Sequence, residues 1–188
     1  MASNPDYYVT PEEYLAIERK ADSRSEYVDG VVYAMAGATE RHNTLVANLI
    51  MSIGIQLRGR PCKVYPTDLK VRIPNSTRFF YPDGSVVCGE AVFADDHNDV
   101  ILNPILLVEV LSEATAAFDR GTKFISYQQI ESLKECLLVA QSEQLVEHFT
   151  RQRGDSWIYR KVTSAEGVLT LSSIQCEITL KEIYDKTL

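Results

Sequence analysis

Three residues stand out by type, spacing and company. Asp83 follows Pro82 in "FFYPDGSVV", Glu109 comes 26 residues later inside "ILLVEVLS", and Lys123 comes 14 residues after that in "FDRGTKFISY". Six of the eight residues in "ILLVEVLS" are apolar, the pattern of a strand covered on both faces. A carboxylate at its centre is costly unless a cation or metal answers it. Pro82 removes a ladder donor and Gly84 loosens the backbone, so Asp83 is expected where a strand bends open. Two carboxylates on neighbouring strands make a site for a hard divalent cation, with water and phosphate oxygens filling its other positions. A nearby ammonium favours both ionised carboxylates and can stabilise charge on a transferring phosphoryl group. Each residue also has a plainer reading. Asp83-Gly84 can be a turn pair, Glu109 can form a structural ion pair, and Lys123 can be a solvated helix lysine.

The elements that must position these groups follow from local patterns. "TPEEYLAIERKA" opens a helix, with Thr10 as N-cap, Pro11 at the first helical position and Glu13 completing a capping box. "SEYVDGVVYAMA" is a hairpin turning at Asp29-Gly30. By strand alternation its Glu26 points away from Tyr27, where a third carboxylate could hold a metal-bound water or pair with an arginine. "ERHNTLVANLIMSIGIQLRG" is the longest helix, with Leu45, Leu49, Ile53 and Leu57 on one stripe and Gly59 ending it. His42, at its start, suits a capping or interface role better than catalysis. "DLKVRI" alternates Leu69, Val71 and Ile73 inward against Asp68, Lys70 and Arg72 outward. "FFYPDGSVVCG" and "ILLVEVLS" are strands, and "AAFDRGTKFISYQQI" is helical with Gly121 weakening its first turn. Tyr127 lies one turn beyond Lys123 on the same face, as packing or as a phosphate donor. "ECLLVA", "LVEHFTR", "WIYRKVT" and "VLTLSS" are further strands, and Thr179 with Glu182 forms a second capping box. Strands flanked by helices give an α/β or α+β layered fold.

The 188 residues suit a single domain, residues 1–188, with 1–39 as a helix-plus-hairpin extension of the same unit. At 45% hydrophobic and 24% charged residues the composition is that of a soluble globular protein. No apolar run approaches the roughly 20 residues of a membrane span, and "MASNPDYYVT" lacks the features of a signal peptide. A cytoplasmic protein is expected. Cys62, Cys88, Cys136 and Cys176 show no zinc-ligand spacing and are expected as small reduced hydrophobes. The net charge of −7 argues against a nucleic-acid coat protein. It hides a basic stretch, Arg58 to Tyr81, with six basic residues against Asp68 alone. These are either gatekeepers on solvent-facing strand positions or a phosphate-binding surface in which Lys63, Lys70 and Arg72 touch phosphates.

The ordered set "YPD", "LLVEVLS" and "DRGTKFISY", with "YLAIERKADSRSEYVDG", "RHN", "DLKVRI" and "EHFTR" around it, resembles the PD-(D/E)xK phosphodiesterase superfamily. More closely it resembles the bacterial Uma-two family of stand-alone restriction-endonuclease-like proteins, over almost the whole chain. In the superfamily pattern a lysine stands two residues after the strand acid, where this chain has Leu111. The family resemblance places that role on Lys123, from the following helix. It implies a restriction-endonuclease-like fold, a central mixed sheet flanked by helices with the N-terminal helix and hairpin attached. It further implies Mg²⁺ (or Mn²⁺) held by Asp83, Glu109 and the Val110 carbonyl, with Lys123 orienting water or stabilising the transition state and Glu26 assisting.

The expected function is therefore metal-dependent hydrolysis of phosphodiester bonds in DNA, and symmetric cleavage makes a homodimer plausible. A rival is a nucleic-acid- or protein-binding module that keeps the fold and cleaves nothing. A two-carboxylate glycosidase is disfavoured, because that chemistry needs a sugar cleft and no lysine here. Two like charges held together also imply that the metal-free protein gains about 1 kcal/mol when Asp83 is removed.

Overall fold

A computed structural model describes residues 8–164 and 166–187. The first helix, α1 (Pro11–Glu18), begins where its capping signals coincide. The Thr10 hydroxyl accepts from the Glu13 N–H, the Glu13 carboxylate accepts from the Thr10 N–H, and Pro11 fills the first helical position. The hairpin of β1 (Ser25–Val28) and β2 (Val31–Ala34) turns at Asp29 and Gly30, whose φ angles are 50° and 97°. Positive φ at both central positions is what a type I′ turn requires. The long helix α2 (Glu40–Gln56) buries Leu45, Leu49 and Ile53, and Leu57 follows them into the core.

The remaining elements run in the order β3 (Cys62–Pro66), β4 (Lys70–Arg72), β5 (Arg78–Phe80), β6 (Gly84–Cys88), β7 (Val100–Ile101) and β8 (Leu106–Leu111). Next come α3 (Ala116–Phe118), a π-turn (Asp119–Lys123) and α4 (Phe124–Tyr127). The chain closes with β9 (Glu135–Ala140), β10 (Val146–Arg151), β11 (Trp157–Val162), β12 (Val168–Leu171), β13 (Cys176–Thr179) and α5 (Leu180–Ile183). A six-stranded sheet has the order β11-β10-β9-β8-β6-β3, antiparallel except for the parallel pair β8–β9. A five-stranded sheet has the order β2-β1-β5-β4-β7, and β12 pairs with β13.

The stretch "FFYPDGSVVCG" thus divides between the two sheets. β5 belongs to one and β6 to the other, and Tyr81, Pro82 and Asp83 make the crossing. The N-terminal hairpin is joined to this crossing, because β1 pairs directly with β5. On one face of the six-stranded sheet, Leu45, Leu49 and Ile53 of α2 meet Leu106, Val108 and Val110 of β8. On the other, Leu107 and Leu111 pack with Phe124, Tyr127 and Phe80. Burying such side chains contributes about 1.5–3 kcal/mol each. All six residues of β8 are buried, Glu109 among them. Where α2 crosses β6, a Cβ on Gly84 would lie 3.1 Å from Ile50 and 3.5 Å from Val108.

Three local expectations are corrected. Lys70 points inward, with its ammonium 2.9 Å from Asp99 and 3.3 Å from the Tyr81 hydroxyl. The alternation rule presumes one solvent-facing side, whereas here Tyr81, Asp99 and, through Tyr81, Glu18 of α1 close over Lys70. Cys62 and Cys88 stand opposite each other in β3 and β6 and form a disulfide, while Cys136 and Cys176 are buried thiols. The segment after β8 is not one α-helix, because a π-turn interrupts it around Gly121.

Candidate active site

Glu109 is 3% exposed and projects from the face of β8 that α4 covers. The Tyr127 hydroxyl donates to its Oε1 at 2.5 Å, and the Lys123 ammonium lies 3.2 Å from it. The same ammonium lies 2.8 Å from Glu26 Oε1 and 3.5 Å from Asp119 Oδ1. Glu26 arrives from β1 and is fixed by accepting the Tyr81 N–H at 3.1 Å. The π-turn supplies both Asp119 and Lys123, turned inward together, as such bulges commonly do at functional sites. A lysine from the helical segment therefore reaches the strand carboxylate that a lysine at Leu111 would have reached directly.

Asp83 approaches from the sheet crossing. β6 pairs with β8 only at Val108, Leu107 and Leu106, so the Val110 N–H is left to donate to Asp83 Oδ2 at 2.7 Å. In a strand the N–H and C=O of one residue face the same side. The Val110 carbonyl is thus directed to the side where Asp83 sits. Asp83 Oδ1 lies 2.9 Å from His42 Nε2, which α2 delivers from its first turn. Gln141, just past β9, lies 3.5 Å from His42 Nδ1 and accepts from the Thr39 hydroxyl at 2.9 Å. One residue from His42, Arg41 has Nε and Nη2 buried with no partner among the described residues.

The electrostatics are lopsided. Three carboxylates surround one ammonium, and Asp83 adds to the negative potential at Glu109. Burial pushes the Glu109 carboxyl well above the usual carboxylate range, and Asp119, Asp83 and Glu26 push it further against the pull of Lys123. Burial raises Glu26 as well, opposed by Lys123. For Lys123 burial alone would lower the pKa, but Glu109, Glu26 and Asp119 outweigh it and hold the ammonium charged. Burial, then Glu109, keeps the Tyr127 phenol protonated as a donor.

Lys123 is therefore in direct contact with both Glu26 and Glu109, and Asp83 is pinned to the backbone next to Glu109. Among the described residues, no three His, Cys, Asp or Glu side chains converge as a metal cage. Asp119 was not singled out in the sequence, although its four-residue spacing from Lys123 is a signal. Tyr127 and His42, weighed as packing and capping residues, bond the two key carboxylates. The basic stretch is dispersed. Lys70 is buried against Asp99, Arg78 pairs with Asp29, and Arg60 donates to the Ile174 and Gln175 carbonyls. Lys63 and Arg72 remain exposed.

Comparison with known proteins bears on the fold and the family. The uncharacterized protein sll1609 of Synechocystis sp. is 32% identical over 164 residues, covering 87% of this chain and 93% of that protein. A second uncharacterized protein from that organism, slr1290, is 32% identical over 182 residues, covering 97% and 94%. A crystal structure titled as a "putative nuclease belonging to DUF820", from Anabaena variabilis, superposes with a TM-score of 0.79 at 15% identity. It covers 96% of this chain and 99% of its own. The fold is thus the restriction-endonuclease-like one. The Uma2 family, described as "Putative restriction endonuclease", matches residues 11–181, and the chain belongs to that nuclease-like family.

Proposed function

We propose that this protein hydrolyses phosphodiester bonds in DNA with a divalent metal ion, Mg²⁺ or Mn²⁺, held by Asp83, Glu109 and the Val110 carbonyl. The observation that carries this reading is the excess of buried carboxylate over buried cation around Glu109. The donor set consists of hard oxygens alone, as such ions prefer. Two carboxylates and a carbonyl suffice for Mg²⁺, which keeps several waters and binds substrate phosphates. A carboxylate offers about four lone-pair sites, so the Tyr127 and Lys123 bonds leave Glu109 with capacity. A metal there would polarise the phosphoryl group and lower the pKa of a bound water.

The chain's own residues do the positioning. The Val110 N–H and His42 fix Asp83, and Tyr127 orients Glu109 through its phenol proton. Glu26 and Asp119 hold Lys123 charged beside Glu109, where its ammonium can stabilise developing negative charge on the phosphoryl oxygens.

A second reading is a nucleic-acid-binding module of the same fold that does not cleave. It is favoured by the closed Lys123–Glu109–Glu26 cluster and by the lack of a three-side-chain cage among the described residues. Calorimetry with Mg²⁺ and Mn²⁺ separates the two. Binding to wild type that vanishes in the Asp83→Ala, Glu109→Ala double variant supports the nuclease. Equal heats for both proteins, or none, leave the binding module.

A further inference from the structure

The face of the six-stranded sheet that carries Glu109 continues past the site to an open edge. Register places Glu109, Leu138, Glu147 and Lys161 in one row across β8, β9, β10 and β11. Residues directly opposite one another share a face, so Lys161 is on the face of Glu109. Three inter-strand steps put it about 14 Å away, roughly four base steps of a stacked strand. The adjacent row is Leu107, Cys136, Phe149 and Tyr159. Its last member is 53% exposed and rests on the Phe149 ring, with centroids 5.1 Å apart. Arg120 joins this edge to the site. It belongs to the same π-turn as Lys123, lies 2.7 Å from Glu147, and leaves 41% of its side chain exposed.

We propose that β10 and β11 form a cradle for a single nucleic-acid strand leading to the active site, with a base stacked on Tyr159 and phosphates held by Arg120 and Lys161. The occupant follows from charge and shape. In a chain of net charge −7, this face presents exposed Lys161 and half-exposed Arg120, while Arg160 lies on the opposite face and Arg151 is held by the Gln128, Ile130 and Leu133 carbonyls. An exposed aromatic ring between cations is the arrangement that binds single strands, with stacking tolerant of sequence. The inference rests on the nuclease reading for its direction and deepens it by naming where substrate lies. It is an alternative to the Arg58–Tyr81 stretch, in which Lys70, Arg78 and Arg60 are engaged internally while Arg58, Lys63 and Arg72 stay exposed.

Trp157, the chain's only tryptophan, supplies the readout. It shares the face of Tyr159 two residues away, half-buried, with its ring 5.6 Å from Phe124. A thymidine oligonucleotide titrated into the full chain with chelator present should change tryptophan fluorescence saturably. Tyr159→Ala should weaken binding at least about 5-fold, the lower end for one lost stacked base, whereas Tyr159→Phe should stay within about 2-fold by keeping the ring. Lys161→Ala should lower the salt slope by about 0.7, one single-strand phosphate contact. An unchanged affinity in Tyr159→Ala overturns the proposal. So does altered self-association in sedimentation with unchanged oligonucleotide affinity, which would assign the β11 edge to a second copy of the chain. Failure of the nuclease reading looks different. Wild type would then bind through Tyr159 but cut nothing with any divalent metal, leaving the cradle standing. Cleavage at wild-type rate by the Tyr159→Ala, Lys161→Ala double variant would sink the cradle and spare the nuclease.

Discussion

Lys123→Met should be the most damaging single change in the site, and the geometry says by how much. Lys123 is 5% exposed, and the methionine keeps its apolar stem but removes an ammonium 2.8–3.5 Å from Glu26, Glu109 and Asp119. Removing one partner of a buried ion pair costs about 3–5 kcal/mol, because the charge left behind is uncompensated. With a urea m-value near 2 kcal/mol/M for a chain of this size, the midpoint should fall by about 1.5–2.5 M. The corresponding loss in Tm is about 6–20 °C. Urea unfolding followed by circular dichroism, with chelator present, measures this directly. A second change supplies the decisive control. Glu26→Gln in the Lys123→Met background removes one of the stranded charges, so the double variant should recover about 1–3 kcal/mol relative to additivity. A Lys123→Met loss below about 1 kcal/mol, or additivity within about 0.5 kcal/mol, would refute the idea that this ammonium neutralises the cluster.

Asp83→Ala should destabilise the metal-free protein by about 1–3 kcal/mol, because it strands the Val110 N–H. That is the opposite sign to like-charge repulsion, and a rise in Tm would show that repulsion between Asp83 and Glu109 dominates. Asp99 sets an acid limit. The Arg19 hydrogen bonds, then Lys70, hold its carboxyl below the usual range, so it stabilises the fold above its unfolded pKa of about 4. That contribution should be lost as pH falls, and the urea midpoints of wild type and Asp99→Asn should converge below about pH 4; parallel curves would contradict this. The Cys62–Cys88 bond closes a loop of sequence separation 26. Cys88→Ser should lower stability by about 3.5 kcal/mol, and thiol titration of unreduced, unfolded wild type should find two thiols, Cys136 and Cys176, whereas four would exclude the bond.

Much of this was legible because it is local. The Thr10 and Thr179 caps, the Asp29-Gly30 turn and the Leu45–Leu49–Ile53 stripe each depend on a few neighbouring residues, and each forms as the sequence implies. Glu109 was legible as a misfit in an apolar run, whereas Lys123 was reached through the family resemblance. What escaped was non-local. Alternation could not know that Tyr81 and Asp99 cover Lys70. The disulfide depends on the β3–β6 register, which neither strand encodes alone. Asp119 shares the Lys123 side at four-residue spacing, but its inward turn depends on the π-turn around Gly121, which the neighbouring residues do not signal. His42 was weighed as a capping or interface residue, because its contact with Asp83 spans 41 residues of sequence.

The central claim is that Asp83, Glu109 and Lys123 form a metal-dependent nuclease site. The most direct measurement is cleavage of labelled single- and double-stranded DNA by purified wild type, Asp83→Asn and Glu109→Gln, with Mg²⁺, with Mn²⁺ and with chelator. The account predicts cutting by wild type only when metal is present, and a loss of at least about 100-fold in both variants, as for removal of a principal transition-state contact. Equal cutting by wild type and Asp83→Asn, or no cutting of any DNA with either metal, would contradict it.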